Sequence, residues 1–353
     1  MSDVRLIPSY ATIEEGAFSL IAESERSFTE MMKDIGISEL HSFEESGIVM
    51  EAVNVKETIG KIVKWFEAQW EKIKKFVDEC LVKIQKKISE AKKNVVKWDK
   101  FKKAVENLKA GDKVYATTYE YPHLDKMADG SDELMKKVGD YDLALRSDFS
   151  KQKKIVKDGG YVVGDLKEVK EDLEGYKKGI IDAIGGENDT KSIKKIKEYI
   201  RGKEVNVDKT YIVNHSRAIY DCATEYNEAA RQLKKLYNEA KKGYAADIKF
   251  IKERKEEEYG YLNVYLPYLK FGKDMYRDLL TTTIGCVSER VRTSMMICLK
   301  VSLAIKAKEE KGAAEASKSG VIIDTDGSKG EVAEESAIQT TKFESELATL
   351  FDF

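Results

Sequence analysis

The sequence predicts an all-α protein, with long amphipathic helices forming an elongated helical bundle between an acidic leader and an acidic tail. Three observations predict it. Only three prolines (Pro8, Pro122, Pro267) occur in 353 residues, so few points lose a helix hydrogen bond to a pyrrolidine ring. The charged residues, 35% of the chain, are mostly Lys and Glu, which helix interiors tolerate well. Apolar residues also recur at steps of three and four along several long stretches, the spacing that keeps one helix face greasy.

The elements follow in order. A short helix is expected over 12–35, with Thr12 as its cap and Glu15 three residues on, as in a capping box. Gly36 to Gly47 breaks the pattern. The strongest helical signal follows: Ile59, Ile62, Phe66, Trp70, Ile73, Val77, Leu81, Ile84 and Ile88 form one stripe, and lysines fill the opposite face. The periodicity resumes at Val95, Trp98, Phe101, Val105 and Leu108, and Gly111 is placed to end it. Residues 113–121 are β-prone and read as a connector or one short strand. Helices are then expected over 130–157, 163–184 and 190–202, with Gly159-Gly160 and Gly185-Gly186 as breaks. One long helix is expected from Lys209 to about Arg254, and a last one from about Tyr261 to Lys308 with Pro267 in its first turns. Beyond that, small and polar residues over 309–340 predict a flexible tail. No fixed-period repeat is found, so a solenoid is not expected. Four segments result: an acidic leader (1–51), a basic amphipathic rod (52–111), a helical bundle (112–308) and an acidic tail (309–353).

Charge is segregated along these segments. The net charge is −2 overall, but 1–51 carries −8, 56–109 carries +8 and 309–353 carries −7. Blocks of this kind are usually solvated faces; masking of the basic rod by the acidic ends is the second reading. Four cysteines (Cys80, Cys222, Cys286, Cys298) lack Cys-x-x-Cys spacing and lie in helical apolar patterns, so buried thiols are expected. No secretory signal and no span of roughly 20 apolar residues is visible, which predicts a cytosolic origin.

The chemistry-bearing patterns are sparse. His41, His123 and His215 are each isolated from other ligand types, so no metal site is expected. No nucleophile elbow, phosphate loop or dinucleotide glycine signature appears, and carboxylates such as Glu171, Asp172 and Glu174 are simply abundant. No catalytic residue and no cofactor is expected. The candidate contact residues are lysines of the rod: Lys61, Lys64, Lys72, Lys75, Lys83, Lys86 and Lys87. On a basic helix they suit a partner protein or a phosphate backbone such as packaged DNA. Trp65, Phe66, Trp70 and Phe76 also fit an interfacial membrane helix, but they lie mainly on the stripe face, which favours packing over base stacking.

Where the acidic leader meets the basic rod stands Val49-Met50-Glu51-Ala52. The motif resembles the processing site of prohead proteases of large tailed bacteriophages, where an aliphatic residue stands two before a glutamate and a small residue follows the cut. Ile21-Ala22-Glu23-Ser24 fits similarly, and Val332-Ala333-Glu334 less well. Over roughly residues 45–90 the layout is similar to virion proteins of large phages infecting Gram-positive hosts. The resemblance implies a structural or internal virion protein, cut after Glu51, whose remaining chain would carry +6. It would contact other virion proteins, copies of itself or DNA. The rival readings are a membrane-active protein of the long-helix, pore-forming type and a coiled-coil scaffold or adaptor.

Overall fold

In the computed structural model, residues 9–35, 55–109, 117–120, 127–157, 165–183, 190–255 and 258–318 are described. The helices are α1 (Tyr10–Asp34), α2 (Val55–Lys92), α3 (Trp98–Glu106), α4 (Met127–Lys157), α5 (Asp165–Ala183), α6 (Thr190–Arg201), α7 (Lys209–Tyr220), α8 (Cys222–Lys252) and α9 (Tyr259–Lys318). Two short strands, β1 (Thr117–Tyr119) and β2 (Glu204–Asn206), pair antiparallel with Thr118 opposite Val205. The expected all-α architecture is what the chain adopts. The β-prone segment supplies one strand, and its partner lies in a stretch for which no strand was expected. Gly202, at φ 70°, ends α6 and turns the chain into β2.

α9 organises the bundle, touching each of the eight other helices. At 60 residues it is about 90 Å long if straight, at 1.5 Å per residue, so the bundle is elongated. Its middle is buried on all sides: Leu279, Leu280, Ile284, Val287, Val291, Met295 and Leu299 all lie in the main core. That core also takes the stripe of α2 (Ile62, Phe66, Trp70, Ile73, Val77, Ile84, Ile88), α4 through Leu145 and Phe149, and α8 through Leu233, Leu236 and Ile251. A second cluster joins α3 to α7 and the C-terminal half of α9, with Phe101, Val105, Ile212, Ile219, Ile297 and Cys298 at its centre.

Several boundaries differ from expectation, each for a local reason. α1 is capped by Ser9, whose hydroxyl accepts from the Thr12 N–H; Thr12 itself lies inside the helix. The single helix expected from Lys209 breaks at Asp221, whose carboxylate is 2.6 Å from Arg217 Nε. Pro267 stands in the third turn of α9, which begins at Tyr259, two residues before its expected start; it cannot donate to the Asn263 carbonyl, yet the surrounding core keeps the helix continuous. α9 also runs on to Lys318, ten residues past its expected end, through a stretch of Lys, Glu and Ala that favours helix. Cys80, Cys286 and Cys298 are buried free thiols, as expected. Burial pushes the Cys286 thiol up to about 12. The remainder of the expected leader (1–8 and 36–51) and tail (319–353) lies outside the described residues.

Candidate interaction surface and buried charge network

The faces of α2 set what it can present. Its stripe is filled by side chains repeating every eleven residues: Val55, Phe66, Val77 and Ile88; Thr58, Gln69, Cys80 and Ala91; Ile62, Ile73 and Ile84. All are buried. Eleven residues make close to three turns, so such a period keeps a stripe nearly straight along a helix. The expectation of no fixed-period repeat is corrected here: within α2 the buried positions recur every eleven residues. Trp65 and Trp70 are buried, packed edge-on against Phe28 and tilted against Tyr237 and Tyr244. The aromatic residues of α2 therefore face the interior.

The same period places the predicted lysines in two outward columns, Lys61/Lys72/Lys83 and Lys64/Lys75/Lys86, with members about 16.5 Å apart along the helix axis. Lys61, Lys64, Lys75, Lys83 and Lys86 are exposed, while Lys72 and Lys87 are partly covered. Lys61 pairs with Glu57 at 3.5 Å, Lys75 with Glu79 at 4.0 Å and Lys87 with Glu90 at 2.7 Å, all within α2. Lys64, Lys83 and Lys86 make no ion pair with a described residue. The structure thus leaves five of the seven on an outward face, covers Lys87 beside Glu90 and ties Lys72 into an inter-helix contact. The proposed processing residues Val49, Met50, Glu51 and Ala52 lie outside the described residues.

The helix within the acidic leader is seated in the fold. Successive contacts of α1 with α2 run in opposite directions along the two chains: Gly16 against Phe76, Glu23 with Lys72 at 2.8 Å, and Ser27 accepting from Trp65 Nε1 at 3.1 Å and Gln69 Nε2 at 3.2 Å. The two helices are therefore antiparallel. Ile13, Phe28, Met31 and Met32 bury into the main core. Three glutamates of α1 reach lysines on three other elements: Glu14 to Lys197 of α6 at 3.5 Å, Glu23 to Lys72 of α2, and Glu25 to Lys270 of α9. At its start, the Tyr10 N–H donates to Glu289 of α9, and the Tyr10 ring lies over Gly285, where an added Cβ would come within 2.8 Å of it.

A second feature has no counterpart in the sequence reading. Lys273 of α9, 1% exposed, lies 2.7 Å from Asp142 of α4 and 2.9 Å from Asp247 of α8. Arg146 of α4 joins Asp247 at 2.8 Å. Gly272 makes room, since a Cβ there would meet Asp142 Oδ1 at 2.6 Å. One to two turns along, Arg277 holds Asp274 and Asp278 at 2.7 and 2.8 Å. Burial pushes the Asp278 carboxyl up to about 6, against the pull of Arg277. Burial likewise raises Asp142, opposed by Lys273. Burial disfavours the Lys273 ammonium, but the two aspartates outweigh it and hold its pKa above the usual lysine value. In sequence this segment, Lys270 to Asp278, reads as a solvated charge run. Only the fold brings its countercharges from α4 and α8.

Other candidates carry little. His215 is exposed, stacked on Tyr211 with its Nδ1 2.8 Å from the Tyr211 carbonyl; His41 and His123 lie outside the described residues. Among the described residues no group of three or more His, Cys, Asp or Glu is placed to hold a metal ion. A cavity between α1 and α9, lined by Tyr10, Glu14, Phe18 and Thr282 among others, has about 10 Å³, room for one water at most. No helix among the described residues is long and apolar enough to cross a membrane. Comparisons with protein-family models, curated proteins and solved structures found no match.

Proposed function

We propose that this chain is a structural or internal virion protein of a tailed bacteriophage, a helical assembly component without chemistry of its own, processed after Glu51. Its work is helix packing and electrostatic contact. The observation that carries the reading is the division of labour on α2: its aromatic stripe is spent on the interior, and Lys61, Lys64, Lys75, Lys83 and Lys86 are left outward for an acidic protein surface or a phosphate backbone. The resemblance of Val49-Met50-Glu51-Ala52 to prohead-protease sites, at the junction of acidic and basic segments, supports the virion setting.

Peptide mapping of purified virions tests it. The expected result is this protein among the particle's components, with a mature N-terminus at Ala52. Intact residues 1–51 in virions would remove the processing step, and absence from particles would remove the virion reading. If the lysine columns touch DNA, binding to duplex DNA falls steeply with salt, and reversing Lys64, Lys83 and Lys86 to Glu abolishes it.

A further inference from the structure

We propose that the seat formed by α2, α6 and α9 is a receptor for the acidic helix α1, one that holds α1 without a covalent connection. A chain cut between α1 and α2 then keeps its acidic helix bound. The inference deepens the processing reading above and rests on it for its biological use, but the binding is a property of the folded chain alone.

Four observations carry it. The contact is continuous along α1, from Tyr10 at its start to Met31 and Met32 in its last two turns. It has a charge code: Glu14, Glu23 and Glu25 each meet a lysine from a different element, so a basic or neutral helix of the same shape would leave Lys72 and Lys197 without these carboxylates and Lys270 with Asp274 alone. It has two steric keys, the Phe76 ring against Gly16 and the Tyr10 ring against Gly285, where an added Cβ would come within 2.7 and 2.8 Å of the ring and force it to shift. Finally, its floor is partly polar: Ser24 and Gln69 are buried, and Ser27 accepts from both Trp65 and Gln69. Mixed polar and apolar contact is the character of interfaces whose partners also exist apart.

The consequence for charge is direct. Scission after Glu51 does not by itself turn the particle component from −2 to +6, because the six acids of α1 stay seated. The covalent link then supplies only effective concentration. Cutting it lets α1 exchange, so release becomes dependent on salt and on competing acidic helices.

The test places a site-specific protease sequence at 42–47 of the full-length chain, cuts the folded protein and applies it to size exclusion at micromolar concentration in physiological salt. The N-terminal fragment should co-elute with the body. A fluorescent peptide of residues 9–35 should displace it saturably, and the same peptide carrying Glu14→Lys and Glu23→Lys should compete at least tenfold less well. Gly285→Ala in the body should also weaken peptide binding at least tenfold. Because alanine favours a helix over glycine, that variant's body should fold as the unmodified one does. A fragment that elutes alone from a body still folded by circular dichroism overturns the proposal. So does a body that unfolds on losing the fragment and does not rebind the peptide, since α1 would then be one part of a single cooperative core. Equal competition by the charge-reversed peptide overturns the assigned contacts. The virion peptide map decides separately whether the cut is made, so failure of one does not entail failure of the other.

Discussion

α2 and α9 are the two longest helices, and both contribute to the same core, yet they reach it by opposite routes. α2 sorts its residues by face: buried Ile62, Phe66, Ile73 and Ile84 on one side, exposed Lys64, Lys83 and Lys86 on the other. α9 is surrounded, so it has no outside over its middle turns. Between Lys270 and Asp278 it buries charge and cancels it with Asp142, Arg146 and Asp247 from neighbours. A lysine on α2 costs almost nothing to place. A lysine at 273 is tolerable only because two carboxylates are within 3 Å, and such a network fixes how α4, α8 and α9 align more than it adds net stability.

Substitutions that treat the two helices alike should sharpen this contrast, and the largest effects come from the interior. Lys273→Ala leaves Asp142 and Asp247 in the core with Arg146 as their one remaining cation among the described residues and should cost about 3–5 kcal/mol by chemical denaturation. Lys64→Ala on α2 should stay within about 0.5 kcal/mol. If the two lysine variants are equally stable, the distinction fails. On the apolar side, Phe66→Ala should cost about 3–5 kcal/mol.

A smaller effect is expected where α8 crosses α9. A Cβ on Gly243 would meet the Tyr276 ring at 2.6 Å. Gly243→Ala gains helix propensity yet should lose about 1 kcal/mol net, since overpacking typically costs about 1–3 kcal/mol; a raised melting temperature would show that the ring can move aside.

The pH dependence is subtler. An aspartate whose folded pKa is raised binds its proton more tightly folded than unfolded. Its contribution to stability is complete below the ordinary value of about 3.9 and is lost as pH rises through the raised one. Asp278, up to about 6, and Asp142, raised in the same direction, should make the fold less stable at pH 7 than at pH 4.5. Glu23 works oppositely: its hydrogen bond to Lys72 holds it low, so its contribution is present at neutral pH and is lost only as pH falls below the ordinary glutamate value. Denaturation midpoints across pH 4 to 7.5 check this; Asp278→Asn should flatten the decline toward neutral pH, and an unchanged slope would rule that group out.

What was legible in the sequence follows the same divide. Periodicity exposes a helix with two different faces, so the stripe from Ile59 to Ile88 marked α2 within a few residues, and seven of those nine positions are buried. The lysine face was legible for the same reason. The segment around Lys273 was not, because a buried charge and a surface charge are the same letter, and the partners of this one lie 131 and 26 positions earlier in the chain. β2 escaped notice likewise: three residues pair only with Thr117–Tyr119, 85 or more positions away. The break at Asp221 carries no glycine or proline to announce it. Masking of the basic rod by the acidic leader is the second reading of the charge blocks, after solvated faces. Masking of the rod lysines by α1 is confined, among the described residues, to Lys72, while α1 is also a packed helix with its own seat.

The most direct measurement is lysine footprinting of the native protein, with an amine-reactive acetylating reagent and mass spectrometry read as a time course. Lys64, Lys83 and Lys86 should be modified at the rate of free lysine, while Lys273 in the same molecules stays unmodified until the protein unfolds. If Lys273 reacts as fast as Lys64, or the α2 lysines are protected together with it, the assignment of faces on these two helices is wrong.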